Sequence, residues 1–217
     1  MTEFRYISSN APEVKAAYKN ILNILYETQD LVRNEFTFHF YPVGSYKRNM
    51  ITYDAKSNVG FDFDINVEVN DDENNFSAKE IKDTIRNALN RVARRYGYSY
   101  PEDSTRVLTI KFVDHVQSRI IHSCDFAIVN NWTENGEDFQ EYIHFNKCAN
   151  SYTWQMQSKG YRLLPEKIDW LKTQGYWNDL RDYYLYKKNT NSDPNVHSRT
   201  LFAISVQELC QKYGYFD

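Results

Sequence analysis

The chain has 217 residues, a formal net charge of −3 and a pI of about 6.0. This balance argues against a nucleic-acid coat or a membrane-surface protein, both of which depend on a strongly basic surface. With only 5 prolines and 7 glycines, the sequence does not describe a linker-rich or disordered chain, and its length suits one large domain with or without an appendage.

Membrane and export signals are not visible in the sequence. The first residues, Met1–Tyr6, contain no apolar signal-peptide core, and no apolar run reaches membrane-spanning length. The three cysteines, Cys124, Cys148 and Cys210, are odd in number and stand at no metal-ligand spacing, which favours reduced thiols. We therefore expect a cytoplasmic protein with no membrane partner.

The N-terminal third predicts a helix followed by a strand. Apolar residues recur at helical spacing in Pro12–Arg33, and Asn10 is a candidate N-cap for this helix. An aromatic-rich strand is predicted at Phe36–Val43. After it, Gly44 and Ser45 begin a short turn or helix that runs to Met50.

The segment Phe61–Val69 has an unusually regular alternation of apolar and polar residues. Side chains alternate between the two faces of a strand, so Asp62 and Asp64 project from the same face, about 7 Å apart along the backbone. Two carboxylates on one face repel each other, and this repulsion favours a bound cation.

A second helix is predicted from Ser77, where Ser77 and Glu80 form a capping box, to Gly97. Its apolar residues form one stripe, and its basic residues are expected on the outer face. A solvated helix face explains this basic stripe better than a nucleic-acid contact does. The basic residues are Lys82, Arg86, Arg91, Arg94 and Arg95.

Strands are predicted at Thr105–Val113 and Arg119–Val129, with a further short one at Glu141–Asn146. In the second of these, Asp125 is a single carboxylate among apolar neighbours, so it requires a partner. His122 and Cys124 share the other face of that strand. No second pair stands at zinc-ligand spacing, so packing or surface roles are expected for both.

From about Ser151 onward the pattern becomes helical. Helices are predicted from Pro165, around Trp177, and after Ser198 as a candidate cap. The order of elements predicts an α+β fold with a mixed β-sheet, flanking helices and a short helical C-terminal subdomain. The expected domains are residues 1–150, a core, and residues 151–217, the helical subdomain.

Three features then occur in order on elements of suitable type: the Gly44-Ser45 turn, the Asp62-x-Asp64 strand, and Asp125 on a later strand. This pattern resembles the nucleotidyltransferase superfamily, which includes DNA polymerase β, the CCA-adding enzymes, poly(A) polymerases and the oligoadenylate and cyclic-dinucleotide synthases. The resemblance covers roughly residues 36–130. It is nearest to the oligoadenylate and cyclic-dinucleotide synthases and the CCA-adding enzymes, and the long gap between Ser45 and Asp62 is closest to that of the synthases.

The resemblance implies a nucleotidyltransferase-like fold and the transfer of NMP from an NTP to an acceptor hydroxyl by a two-metal mechanism. Such a reaction needs charge neutralisation and in-line positioning, which hard Mg²⁺ or Mn²⁺ ions on carboxylates provide. The acceptor could be a nucleotide, an RNA or a protein. The implied catalytic and metal-binding residues are Asp62, Asp64 and Asp125, and the implied phosphate-binding residues are Gly44, Ser45, Lys47 and Arg48.

Two departures from the family pattern and three alternatives stay open at this point. The gap between Ser45 and Asp62 exceeds that of the compact family members. Arg48-Asn49-Met50 stands where the family often has Gly-Thr. Asp62 and Asp64 could instead form the solvated face of an edge strand, with Gly44 in an ordinary turn. The chain could also be a nucleotide-sensing module without turnover, or the nucleotidyltransferase component of a toxin–antitoxin pair.

Overall fold

The computed structural model describes residues 3–54, 56, 60–71, 74–193 and 195–215. They form two compact units. The larger unit comprises the described residues of Tyr6–Asp54 and Asn58–Met156. The smaller unit comprises those of Met1–Arg5, Ala55–Ser57 and Gln157–Asp217.

The larger unit contains both helices and strands, and the smaller unit is mainly helical. Up to Met156 the elements are β1 (Phe4–Tyr6), α1 (Pro12–Val32), β2 (Thr37–Val43), α2 (Gly44–Lys47), β3 (Thr52–Asp54), β4 (Phe61–Asn70), α3 (Ala78–Ala93), β5 (Glu102–Asp103), β6 (Val107–Asp114), β7 (Arg119–Glu134), β8 (Glu137–Asn146) and β9 (Ser151–Met156). The C-terminal helices are α4 (Lys159–Thr173), α5 (Trp177–Thr190) and α6 (Ser198–Tyr213). Among the described residues no helix is long and apolar enough to cross a membrane.

The larger unit is built on a seven-stranded mixed sheet. The strand order is β2-β4-β7-β6-β5, with β8 paired to β7 and β9 paired to β8. The central pair, β4 and β7, is parallel, while the other pairs are antiparallel. A parallel pair needs a crossover connection, and here the chain between β4 and β7 includes α3. The predicted α+β class with a mixed sheet is confirmed.

The apolar strips of the central strands form the core. Phe63, Cys124 and Phe126 are completely buried, in one cluster with buried residues of α1 and α3. Because side chains alternate along a strand, burying this strip places the intervening polar residues on the opposite face of the sheet. That opposite face is the one that carries the aspartates.

The predicted capping box at the start of α3 is confirmed. The Glu80 backbone N–H donates to Ser77 Oγ at 3.3 Å, and the Ser77 backbone N–H donates to Glu80 Oε2 at 2.8 Å. The helix is followed by one 3₁₀ turn, Arg94–Tyr96, and Gly97 then takes the left-handed conformation with φ of 81°. Each device satisfies backbone groups that a helix end otherwise leaves unpaired.

The sheet extends further than the sequence predicted. Strand β7 continues to Glu134 instead of ending at Val129, and β8 starts at Glu137. The connecting turn has positive φ at Asn135 (51°) and Gly136 (79°), as a two-residue hairpin turn requires. Most residues of this extension are polar, so the sequence shows no regular apolar alternation there. Cross-strand pairs such as the stacked Trp132 and Phe139 stabilise it.

The prediction that the chain becomes helical from about Ser151 is wrong, because Ser151–Met156 forms β9. Tyr152 on this strand stacks on Phe145 of β8, with ring centroids 4.4 Å apart. Helix α4 begins at Lys159, so Pro165 lies inside it and does not start it. Pairing with β8 places this segment in the sheet, and the helical reading of the sequence did not include that pairing.

Two predicted caps are also wrong. The N-cap of α1 is Ala11 rather than Asn10, with a proline in the first turn and no side-chain cap. The N-cap of α6 is His197, and Ser198 is the first helical residue. In both cases the polar residue stands one position from the cap, where its side chain does not cap the helix. The predicted stop of α6 at Gly214 is confirmed by its left-handed φ of 81°.

Lys82 does not lie on the solvated face of α3, where the sequence placed it. Its side chain is 1% exposed, and its Nζ lies 2.8 Å from Asp103 Oδ1 and donates to the Ser104 carbonyl at 3.1 Å. The Tyr152 hydroxyl also donates to Asp103, at 2.8 Å. Burial lowers the pKa of Lys82, and the Asp103 carboxylate opposes that shift. This buried pair connects α3 with β5 and β9.

The smaller unit has its own core of side chains from α4, α5 and α6. Leu171 and Leu180 are fully buried, and Tyr184 packs edge-on against Phe202 with centroids 5.5 Å apart. Cys210 of α6 is buried as well, and Cys124, Cys148 and Cys210 are all free thiols.

We expect Ser77→Ala to lower the free energy of unfolding by about 1 kcal/mol, because the Glu80 backbone N–H loses its acceptor. Ser198→Ala is the matched control, since that serine does not occupy a cap position. Urea unfolding followed by circular dichroism measures both. Equal losses in the two variants would contradict the assigned cap.

Candidate active site

Parallel pairing of β4 with β7 brings the three predicted aspartates together. Asp64 stands directly opposite Asp125, and Asp62 stands opposite Ser123. Residues opposite each other on paired strands project from the same face of the sheet. All three carboxylates therefore share the polar face of β4 and β7, opposite the face that packs against the helices.

Hydroxyl groups from neighbouring strands hold two of these carboxylates. Thr109 of β6 lies opposite Asp125, and its Oγ1 donates to Asp125 Oδ1 at 2.5 Å. Ser123 of β7 donates from Oγ to Asp62 Oδ1. Asp62 and Asp125 thus each have one carboxylate oxygen that accepts a hydrogen bond from the adjacent strand.

A basic and an acidic side chain lie beside this group on the same face. Lys111 stands opposite Ser123, and its Nζ lies 2.7 Å from each carboxylate oxygen of Glu102. Glu102 itself stands opposite Thr109. The polar face near Asp125 is therefore a continuous set of hydrogen-bonding and charged groups.

Gly44 packs directly against one of the aspartates. Val43, the last residue of β2, stands opposite Asp64, and Gly44 follows with φ of +63°. A Cβ on Gly44 would lie 2.8 Å from Asp64 Cγ and still closer to Oδ2. The left-handed backbone and the closeness of Asp64 both favour glycine at this position.

The proximity of the carboxylates affects the pKa values of Asp125 and Cys124. Burial raises the pKa of Asp125 to about 6, and repulsion from Asp64 and Asp62 adds to that shift, while the Thr109 hydrogen bond and Lys111 oppose it. The pKa of the Cys124 thiol beneath them is raised by its burial and by the same three aspartates. A cation on the polar face would relieve this repulsion.

The donor set fits a hard divalent cation, since three carboxylates on adjacent strands are oxygen ligands of the kind that Mg²⁺ prefers. Within the part of the chain that the structure describes, however, no group of three or more His, Cys, Asp or Glu side chains is arranged as a complete metal site. Oxygens of Asp62 and Asp125 accept hydrogen bonds from hydroxyls on neighbouring strands instead.

The predicted phosphate-binding residues lie on and beside α2. Ser45 is half-buried in its first turn, Lys47 is exposed at its end, and Arg48 is the half-buried C-cap residue. The Ser45 carbonyl accepts from the Met50 backbone N–H at 2.9 Å, which closes the turn. Gly44, at the start of α2, lies directly against Asp64.

Arg48-Asn49-Met50, which stands where the family often has Gly-Thr, has a structural role in this chain. Asn49 has φ of 53°, a left-handed conformation that asparagine tolerates better than most residues. Its Oδ1 accepts from the backbone N–H and the Oγ of Ser9, both at 3.0 Å. Met50 is then buried in the core at 1% exposure. This segment fixes the end of α2 to the chain before α1.

His122 and Cys124 are buried in the core, which decides between the packing and surface roles that the sequence left open. The His122 ring stacks on Phe61 and Phe112, with centroids 5.3 Å and 5.1 Å away. The Tyr98 hydroxyl lies 2.7 Å from His122 Nε2. Burial lowers the pKa of His122 to about 4, so the ring is neutral near pH 7.

Sequence reasoning missed four residues of the site: Thr109, Lys111, Ser123 and Glu102. Serine and threonine are common in strands, so these types carry no signal alone. Their relation to the aspartates depends on strand register, which links residues far apart in sequence. Alternation along β6 places Thr109 and Lys111 on one face. It does not show which residues of the neighbouring strand lie opposite them.

Comparison with known proteins links the chain to others by fold alone. It matches no family model, and no curated protein sequence matches it. It superimposes on Vibrio cholerae DncV in a 3′-deoxy ATP bound form with a TM-score of 0.65, covering 99% of this chain and 70% of that chain at 12% identity. The chain has a nucleotidyltransferase-like fold.

Two further structures support this similarity. Escherichia coli DncV in a 3′-deoxy GTP bound form gives a TM-score of 0.65, covering 94% of this chain and 68% of that chain at 9% identity. The c-di-GMP synthase CdnE from Capnocytophaga granulosa gives 0.57, covering 97% and 64% at 14% identity. The predicted structural resemblance to cyclic-dinucleotide synthases is confirmed.

We expect Gly44→Ala to lower the free energy of unfolding by at least about twice as much as Gly136→Ala does. Both glycines have positive φ, which costs a non-glycine residue about 1–2 kcal/mol. Only Gly44 would also drive a Cβ into Asp64, since nothing lies within 4 Å of a Cβ at Gly136. Urea unfolding of both variants tests the difference, and equal losses would contradict the close approach of Gly44 and Asp64.

The buried His122 predicts a specific acid sensitivity. Its folded pKa of about 4 is below the value of 6.5 for a free imidazole, so the unfolded chain binds a proton first. The neutral ring therefore makes its full contribution to the free energy of unfolding above about pH 6.5. As the pH falls towards 4, this contribution decreases by about 1–3 kcal/mol. His122→Phe, which cannot titrate, should show a flatter loss of unfolding free energy between pH 7.5 and 4.5. Parallel pH profiles would contradict a neutral buried ring.

Proposed function

We propose that the protein is a metal-dependent nucleotidyltransferase that transfers NMP from an NTP to a hydroxyl group of an acceptor nucleotide. The observation that carries the proposal is the register of β4 and β7, which puts Asp62, Asp64 and Asp125 on one face of the sheet. The fold similarity to cyclic-dinucleotide synthases supports it independently.

In this proposal Asp62 and Asp64 hold two Mg²⁺ or Mn²⁺ ions, and Asp125 contributes to the ion nearest the acceptor. Bound there, the ions would acidify the acceptor hydroxyl and neutralise charge on the triphosphate. The shared face of Asp62, Asp64 and Asp125 supports this role, because clustered carboxylates that repel one another favour cation binding.

Asp125 is also the proposed proton acceptor. The bond from the α-phosphorus to the bridging oxygen breaks and releases pyrophosphate, the acceptor oxygen forms the new bond, and the hydroxyl proton passes to Asp125. A carboxylate within reach of the acceptor hydroxyl can act as the general base of this step.

The turn after β2 is the proposed phosphate-binding segment. Gly44 brings the backbone close to Asp64, so a triphosphate bound at the carboxylates would also meet the Ser45 hydroxyl. Lys47 and Arg48, at the end of α2, supply positive charge for the same phosphates. Positive side chains here offset the triphosphate charge and orient it for in-line attack.

We assign a nucleotide as the acceptor because of the proteins that share the fold. The V. cholerae DncV cyclic AMP-GMP synthase has been solved with a linear intermediate, 5′ pppA(3′,5′)pG, at a TM-score of 0.64 to this chain. In such an intermediate the acceptor is the 3′-hydroxyl of a second nucleotide. A similar product, linear or cyclic, is therefore the first to be sought for this protein.

The test is incubation of the protein with radiolabelled NTPs, singly and in pairs, with Mg²⁺ or Mn²⁺, followed by chromatography and mass spectrometry. We expect a nucleotide-to-nucleotide product and release of pyrophosphate. Asp62→Ala and Asp125→Ala should lower the rate by at least about 10²-fold, since each removes a group that acts in the transition state.

Asp138→Ala is the matched control, because Asp138 is also a strand aspartate that accepts from a threonine hydroxyl, at 2.7 Å from Thr133, but on the exposed hairpin. It should retain wild-type rates. Unchanged activity in Asp125→Ala would overturn the proposal. NTP binding without any turnover would instead indicate a nucleotide-sensing module, and label transferred to RNA or protein would indicate another acceptor class.

A further inference from the structure

We infer that Thr109 and Ser123 are positioning residues, whose hydroxyl groups orient the carboxylates of Asp125 and Asp62 for Mg²⁺. This inference rests on the proposed function, because it concerns the same metal site. Its physical content is separate, since it assigns the geometry of the site to two neutral residues that bind no metal themselves.

Thr109 is placed by the antiparallel pairing of β6 with β7. It stands directly opposite Asp125, and its Oγ1 donates to Asp125 Oδ1 at 2.5 Å. Threonine is β-branched and has restricted χ1 freedom in a strand, so this donor is held rigidly. One oxygen of Asp125 is thereby occupied, and metal coordination is assigned to Oδ2.

Ser123 plays the corresponding part for Asp62. It stands opposite Asp62 in the parallel pairing of β4 with β7, and its Oγ donates to Asp62 Oδ1. Ser123 and Asp125 are two residues apart on β7 and share its polar face. The same strand therefore supplies one ligand of the proposed site and the hydroxyl that orients another.

These hydroxyls matter most for an ion with strict geometry. Mg²⁺ requires nearly ideal octahedral coordination, whereas Ca²⁺ accepts flexible arrangements of oxygen ligands. Groups that orient metal ligands commonly account for 10- to 100-fold in metal affinity. Loss of an orienting hydroxyl should therefore weaken Mg²⁺ binding more than Ca²⁺ binding, which a purely structural hydrogen bond would not do.

The experiment measures dissociation constants of Mg²⁺ alone and of Ca²⁺ alone by calorimetry on the full chain. Thr109→Val keeps the shape of the side chain and removes the donor. We expect it to raise the dissociation constant of Mg²⁺ by about 10- to 100-fold and that of Ca²⁺ by clearly less. Thr109→Ser keeps the hydroxyl and should restore binding to within about 2-fold of wild type.

Thr133→Val is the matched control, because it breaks the same kind of threonine–aspartate pair on the exposed β7–β8 hairpin, where Thr133 donates to Asp138 at 2.7 Å. Its metal affinities should equal those of wild type. If Thr109→Val does not fold, Ser123→Ala provides the same test through Asp62, with Ser123→Thr as the variant that keeps the hydroxyl.

Asp64→Asn distinguishes failure of this inference from failure of the proposed function. If Asp64→Asn binds both ions as wild type does, the metal site itself is overturned. If Asp64→Asn loses binding while Thr109→Val and Ser123→Ala keep wild-type affinities, the positioning role alone is overturned. A lower melting temperature in Thr109→Val with equal affinity for both ions would likewise overturn it.

Discussion

The parallel pairing of β4 with β7 is the constraint on which the rest of the structure depends. It aligns the apolar strips of both strands on the face covered by α1 and α3, and it aligns Asp64 with Asp125 on the other face. Because side chains alternate, a slip of one residue in β7 would turn Asp125 into the core and expose Phe126. Burial of the apolar strip therefore fixes the position of the carboxylates.

The polar face carries a concentration of negative charge that the fold accommodates without neutralising it. Thr109 and Ser123 each donate to one carboxylate, and Lys111 opposes part of the upward shift in the pKa of Asp125. Gly44 adds a steric constraint, because a Cβ at this position would displace the Asp64 side chain. Such an arrangement is typical of a site whose geometry is held ready for a charged ligand.

Prediction from sequence succeeded where a pattern is local and failed where a contact is distant. The capping box of Ser77 and Glu80 follows from short-range spacing, and the structure confirms it. Lys82 was assigned to solvent because helical residues nearby are basic, yet a buried partner, Asp103, draws it inward. Strand β9 was missed although Tyr152 and Trp154 alternate along it, and both side chains pack against the core of the larger unit.

The sequence by itself determined that Asp62 and Asp64 share a face, that a glycine-serine turn precedes them, and that the fold resembles the nucleotidyltransferases. These conclusions need only the two-residue period of a strand and the order of the motifs. Only the tertiary structure decided that Asp125 lies opposite Asp64, that Thr109 and Ser123 hold the carboxylates, and that Gly44 touches Asp64. Strand register is set by the packing of the whole core, and no local segment contains that information.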